Sequence, residues 1–227
     1  MKDKNEQIEN HKKIIADMIV EISGHRSPYQ VFYDWCTCMA MAFQNSCDMF
    51  KDSEIYKHHE ELYQNTIEQY SKEEQEKLYE MTGRLFLAFE NEISDYLGGI
   101  YMEAGCGNKY VGQFFTPFHL SELCARLGVD ETDKIYHMNE PSCGGGAMIL
   151  ATAKALKDIG INYQRRLKVV AQDLDWLGVY MTYVQLSLYG IPAVVNHADS
   201  LTLSKYDTFK TPTYILDGWE FRRRQNI

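Results

Sequence analysis

The sequence predicts an α/β protein: a truncated doubly wound sheet preceded by a helical domain. Three observations carry this. Residues 1 to about 104 hold apolar side chains at helical spacing. From about residue 119 the apolar runs "KIYHMNE", "LKVVAQDLD" and "PAVVNHADSL" alternate with helix-forming segments, the order of βαβ units on a parallel sheet. After the first of these runs the chain passes through three consecutive glycines into a helix. The expected domains are 1–104, acidic and helical, and 105–227, α/β with an incomplete sheet.

The elements follow in order. "QIENHKKIIADMIVEIS" places Ile8, Ile14, Ile15, Met18, Ile19 and Ile22 near one helical face. Ser27 then caps an apolar helix whose first position is Pro28, where a missing N–H costs nothing. "SEIYKHHEELYQNTIEQYS" is a third helix with Ile55, Leu62 and Ile67 inside. Ser71 with Glu74 is a capping box heading a long fourth helix or helix pair. Gly98-Gly99 either breaks it or lets it pack closely. "GCGNKY", residues 105–110, is a loop, and Ser121–Leu127 a helix. Residues 134–140 form a strand, 146–158 a helix, and 167–175 a second strand. "WLGVYMTYVQLSLYG" is a helix ending on Gly190, a residue suited to a C-terminal cap. Residues 192–201 form a third strand, and "TYILDGW" from Thr213 is read as a fourth.

Charge is uneven. Residues 1–110 hold 11 Lys/Arg against 20 Asp/Glu, a net of -9, and residues 111–227 hold 12 of each. DNA affinity rests largely on cationic contacts to phosphate, so strong unaided DNA binding is not expected. An acidic half suits a partner with a basic surface, or solubility alone. The six cysteines are irregularly spaced and lack a zinc-knuckle pattern. They read as reduced, mostly buried thiols of a cytoplasmic protein. His58 and His59 are adjacent on a helix and point in different directions, so no metal site is expected. No apolar stretch reaches membrane-spanning length, and the charged N-terminus is not a secretory signal.

The glycine run "NEPSCGGG" at 139–146 is neither GxGxxG nor a phosphate-binding P-loop, which would need Gly-Lys-Ser/Thr. With Glu140 at the strand end and no lysine, it suits a cationic or zwitterionic nucleoside better than a triphosphate. S-adenosylmethionine fits that description. Asp173, at the end of the next strand, can accept both hydroxyls of a ribose, as acids do at that place in nucleotide-binding sheets.

Four motifs in order, "GQFFTPFHLSELCARL", "NEPSCGGGAMIL", "AQDLDWLGVYMTYVQLSLYGI" and "HADSL", resemble the modification subunits of type I restriction systems and related N6-adenine DNA methyltransferases. The resemblance is close from about 95 to 205 and looser over the first hundred residues. It implies an S-adenosylmethionine-dependent methyltransferase sheet, a role in restriction-modification, DNA as substrate, and a protein partner or homo-oligomer. It assigns Gln113, Phe114, Phe115, Thr116 and Pro117 to a wall over the methionine end of the cofactor. Glu140, Pro141, Ser142, Cys143, Gly144 and Gly146 line the opposite wall. Asp173 would hold the ribose, Leu174 would flank the adenine, and Asp199 with Ser200 would meet the adenine edge.

The family also carries an Asn/Asp-Pro-Pro-aromatic motif that orients the target amine and stacks on the flipped base. Thr211-Pro212-Thr213-Tyr214 stands where the resemblance puts that motif. A threonine hydroxyl donates as well as accepts and replaces an amide poorly. The expectation is therefore a cofactor-binding relative whose catalytic residues Thr211, Pro212 and Tyr214 are degenerate. The alternative is an active adenine methyltransferase, alone or completed by a partner subunit.

Overall fold

A computed structural model describes residues 2–48, 51, 53–107, 115–130 and 134–222. Five helices come first: α1 (Lys2–Ser23), α2 (Pro28–Cys47), α3 (Glu54–Ile67), α4 (Lys72–Phe89) and α5 (Tyr96–Glu103). Their starts follow the sequence. Ser27 accepts the Gln30 amide at 3.2 Å, with Pro28 in the first turn, and Ser53 accepts the Tyr56 amide at 3.0 Å. The capping box closes on both arms: Ser71 Oγ accepts the Glu74 amide at 3.3 Å, and Glu74 Oε2 accepts the Ser71 amide at 2.7 Å.

The fourth helical stretch is a pair, and its break is not at the glycines. Gly98 and Gly99 lie inside α5, and the chain leaves α4 at Glu90. There the Asn91 side chain donates to the Leu87 and Ala88 carbonyls, competing with the helical ladder. Residues 1–92 with 96–114 make one compact unit. Its interior holds Ile15, Ile19, Phe32, Trp35, Met81, Leu85, Tyr96 and Tyr101. Asp34 is buried among them, accepting from Tyr70 Oη at 2.8 Å and Gln30 Nε2 at 2.9 Å; burial raises its carboxyl pKa.

Residues 93–95 and those from 115 onward form the second unit. Its elements are α6 (Phe118–Gly128), β1 (Tyr136–Glu140), α7 (Ala147–Asp158), α8 (Tyr163–Arg166), β2 (Leu167–Asp173), α9 (Trp176–Leu188), β3 (Ala193–Asp199), β4 (Ser204–Lys210) and α10 (Pro212–Leu216). The strand order is β1-β2-β3-β4; β1, β2 and β3 run parallel. One sheet face buries Leu167, Val169, Ala171, Val195 and Phe209. Tyr180 and Tyr183 of α9 pack on Phe209, with ring centroids 5.9 and 5.3 Å apart. On the other face Lys168, reaching Trp219 O at 3.1 Å, and Lys210 flank the Tyr214 ring of α10.

The fourth strand differs from the sequence reading. "TYILDGW" is not a strand: Pro212–Leu216 is α10, and the turn after it buries Trp219 completely. The strand is Ser204–Lys210, antiparallel to β3. Only residues 200–203 separate it from β3, far fewer than a parallel crossover needs. Leu203, at φ 59°, helps turn the chain back.

Candidate functional site

The carboxyl ends of β1, β2 and β3 lie along one edge of the sheet, and the glycine loop leaves from the first. Gly144 (φ +50°) and Gly146 (φ +88°) both sit in the left-handed region, which side chains rarely tolerate. The loop is tied down on every side. Cys143 N–H donates to Gln172 O at 2.9 Å, and Gly146 N–H to Cys143 O at 2.7 Å. Asp173 Oδ2 accepts the Gly144 N–H at 2.7 Å while its Oδ1 accepts the Asp175 N–H at 3.0 Å. The acid that ends β2 therefore joins the glycine loop to the start of α9. Gly178 makes room for it: a Cβ there would lie 3.1 Å from the Asp173 carboxyl carbon and 3.2 Å from Gly144 O.

Three further residues hold the loop, and the sequence reading missed them. Thr182 Oγ1 donates to Gly144 O at 2.8 Å. Gln185 Nε2 donates to Gly145 O at 2.7 Å and to Asp95 Oδ1 at 2.8 Å. The available signal was a polar pair, three residues apart, in the mostly apolar helix of residues 176–188. Gly145 is buried, yet its N–H has no hydrogen-bond partner among the described residues. A buried orphan donor beside two left-handed glycines is a feature that a bound polar ligand would satisfy.

The aromatic-Thr-Pro segment is described from Phe115; Gln113 and Phe114 lie outside the described residues. Phe115 covers the loop, since a Cβ on Gly144 would lie 3.1 Å from its ring. Thr116 and Pro117 are exposed and lead into α6. At the other end, Ser200 accepts from Gln172 Nε2 at 2.7 Å and donates to Pro141 O, linking the ends of β1, β2 and β3. Asp199 Oδ1 accepts the Leu201 and Thr202 amides at 2.8 and 3.2 Å, which hold its carboxyl pKa below the ordinary range. Leu174 is 61% exposed. Its carbonyl meets His197 Nε2 at 3.0 Å, and the His197 ring stacks on Trp176 at 3.9 Å. Burial raises the Glu140 pKa, with the Asp173 charge adding to it and the Ser142 amide opposing. Burial also pushes the Cys143 thiol up to about 12, so it is not a thiolate nucleophile.

Thr211, Pro212, Thr213 and Tyr214 are elsewhere. Because β4 runs antiparallel, its last residue, Lys210, pairs with Val194 at the start of β3. The segment thus lies at the amino end of β3, opposite the glycine loop. Thr211 is fully buried; its Oγ1 donates to Ile191 O at 2.8 Å and accepts from Ala193 N–H at 2.9 Å. Tyr214 is buried against the sheet face. The structure does not bring these residues to the site, and their geometry is that of a strand-end clamp.

The model of the N-6 DNA methylase family matches residues 94–221, more than half of the chain. The chain belongs to the N-6 DNA methylase family. The match spans the whole site, from Ser94 beside Asp95 to beyond α10. Over 127 residues the chain is 26% identical to the methylase subunit of the type I restriction enzyme MpnII of Mycoplasma pneumoniae. That stretch is 52% of this chain and 23% of the relative, so the chain spans about a quarter of the relative's length. A crystal structure of the methyltransferase subunit of a type I restriction-modification system from Streptococcus thermophilus superposes with a TM-score of 0.49 and 11% identity, covering 87% of this chain and 59% of that one. Among the described residues, no group of His, Cys, Asp and Glu is placed to hold a metal ion. No helix among them is long and apolar enough to cross a membrane.

Proposed function

We propose that this N-6 DNA methylase family member binds S-adenosylmethionine at the glycine-loop edge and, on its own, does not complete methyl transfer to adenine. The observation that carries the reading is the Gly144–Asp173 hydrogen bond. It joins a glycine loop and a ribose-type acid into one rigid unit at the ligand-binding edge of the sheet. The orphaned Gly145 N–H and the Phe115 ring over Gly144 fit a polar ligand laid along the loop.

In this reading Asp173 accepts the ribose hydroxyls through lone pairs its two amide contacts leave unused. Leu174 offers an apolar face to the adenine, and Asp199 with Ser200 meets the adenine edge. Phe115, with Thr116 and Pro117, closes over the methionine end; Gln113 and Phe114 lie outside the described residues. Glu140, Pro141, Ser142, Cys143, Gly144 and Gly146 form the facing wall, where Glu140 suits a cationic ligand. The cofactor, when bound, supplies a methyl group activated on a sulfonium. The chain's own part is to hold and orient it and to exclude water.

The second half of the proposal rests on a different ground from Thr211. The five prolines are Pro28, Pro117, Pro141, Pro192 and Pro212, and no two are adjacent. These 227 residues therefore carry no Asn/Asp-Pro-Pro-aromatic segment to orient a target amine. We infer that this group, and most cationic DNA contacts, come from outside these 227 residues. The type I methylase relative is itself named a subunit. A cytoplasmic place beside DNA follows from the same reading.

The test pairs titration with S-adenosylmethionine and transfer of its labelled methyl to unmethylated DNA. Binding without transfer is the expected result. Robust N6-adenine methylation by the protein alone would overturn the silent half and establish an active methyltransferase.

A further inference from the structure

α9 is apolar along most of its length, but Thr182 and Gln185 are polar and fully buried. Three residues apart, they share one face of the helix. Both reach carbonyls of the glycine loop: Thr182 Oγ1 to Gly144 O at 2.8 Å, Gln185 Nε2 to Gly145 O at 2.7 Å. The same Gln185 nitrogen donates to Asp95 Oδ1 at 2.8 Å. Asp95 comes from the 93–95 segment of the same unit and is 8% exposed. A carboxylate buried so deeply is costly unless hydrogen-bonded, and this one fixes the orientation of the Gln185 amide.

Peptide planarity turns these contacts into ligand geometry. In a trans peptide the C=O and N–H point in opposite directions. Anchoring Gly144 O on Thr182 therefore turns the Gly145 N–H away from α9. Anchoring Gly145 O on Gln185 sets the next peptide, whose N–H closes on Cys143 O at 2.7 Å. The result is an aimed donor in a buried loop, without a partner among the described residues. Gly145 is also held close, since a Cβ there would lie 3.1 Å from Met181 Cε.

We propose that Asp95, Thr182 and Gln185 are positioning residues that aim the Gly145 N–H at an acceptor oxygen of the bound cofactor. This rests on the S-adenosylmethionine reading above. None of the three touches the ligand; each acts through the loop backbone.

The test uses the full chain with 15N-glycine labelling, titrated with S-adenosylmethionine, for the unaltered protein, Thr182→Val, Gln185→Leu, Asp95→Asn and Asp95→Leu. The unaltered protein shows a ligand-dependent shift of the Gly145 amide resonance. Thr182→Val and Gln185→Leu weaken binding about tenfold, the scale of a lost buried hydrogen bond, and abolish that shift. The Gly24 and Gly160 resonances stay in place and report an intact fold. Asp95→Asn keeps an acceptor for Gln185 and binds within about twofold of the unaltered protein, while Asp95→Leu behaves like Gln185→Leu. Rescue by asparagine separates positioning from charge, and Thr182→Val, close to isosteric, carries the test should a bulkier variant not fold. Binding that leaves the Gly145 resonance unmoved, or variants of unchanged affinity, overturns the assignment and leaves the cofactor reading standing. Absence of binding by the unaltered protein overturns both.

Discussion

Thr211→Val separates a structural threonine from a catalytic one. Thr211 has no exposed surface, and its hydroxyl both donates to Ile191 O and accepts from Ala193 N–H. Valine matches its volume and leaves no cavity, so the cost is polar. Stranding a buried donor and a buried acceptor costs about 1–2 kcal/mol each, about 2–4 kcal/mol together. For a chain of this size each kcal/mol moves Tm by about 2–4 °C, so Tm falls by about 5–15 °C. The carboxyl edge lies a full seven-residue strand away along Ala193–Asp199, roughly 20 Å at strand rise. Affinity for S-adenosylmethionine, measured by calorimetry well below Tm, therefore stays within about twofold. An unchanged Tm with tenfold weaker binding would refute the clamp and return Thr211 to the site.

Three other perturbations read the loop and its charges. Gly178→Ala drives a methyl against the Asp173 carboxyl and Gly144 O; S-adenosylmethionine affinity falls about tenfold by calorimetry, on the scale of overpacking a tight contact. Asp199 has its pKa lowered by the Leu201 and Thr202 amides. Its stabilisation is present above the unfolded value near 3.9 and is lost as pH falls through the folded value. Asp199→Ala thus lowers Tm at pH 7, and the difference closes in acid; a constant difference at all pH values would contradict this. Glu140 has its pKa raised by burial, so ionising it opposes folding once pH exceeds its unfolded value, about 4.3. Glu140→Gln raises Tm at neutral pH and not below about pH 4, as thermal scans across that range would show.

The local start and stop signals were legible because their chemistry is short-range. Ser27-Pro28, the Ser71–Glu74 box and the two β-then-α alternations needed only neighbouring residues. The glycine loop and Asp173 could be paired because both fall at strand ends, which a parallel sheet brings to one edge. Three features were hidden. The reversal after β3 was missed because the weakly apolar "SKYDTFK" gives a poorer strand signal than "TYILDGW". In the fold, however, Phe209 supplies the buried face and Tyr214 and Trp219 close the far end of the sheet. That error put Thr211 at the wrong end of the sheet. The sequence leaves open whether Gly98-Gly99 breaks the helix or packs closely; the break comes earlier, where Asn91 bonds back to helix carbonyls. The Asp95–Gln185 contact joins residues ninety positions apart, which no local pattern encodes.

Calorimetric titration with S-adenosylmethionine, with Asp173→Ala as the control, decides whether the glycine loop and Asp173 form a cofactor site. The expected result is binding with a Kd of roughly 1–100 μM, about -5.5 to -8.2 kcal/mol, lost in the variant while thermal unfolding remains cooperative. No heat of binding from the unaltered protein, or equal binding by Asp173→Ala, would contradict it.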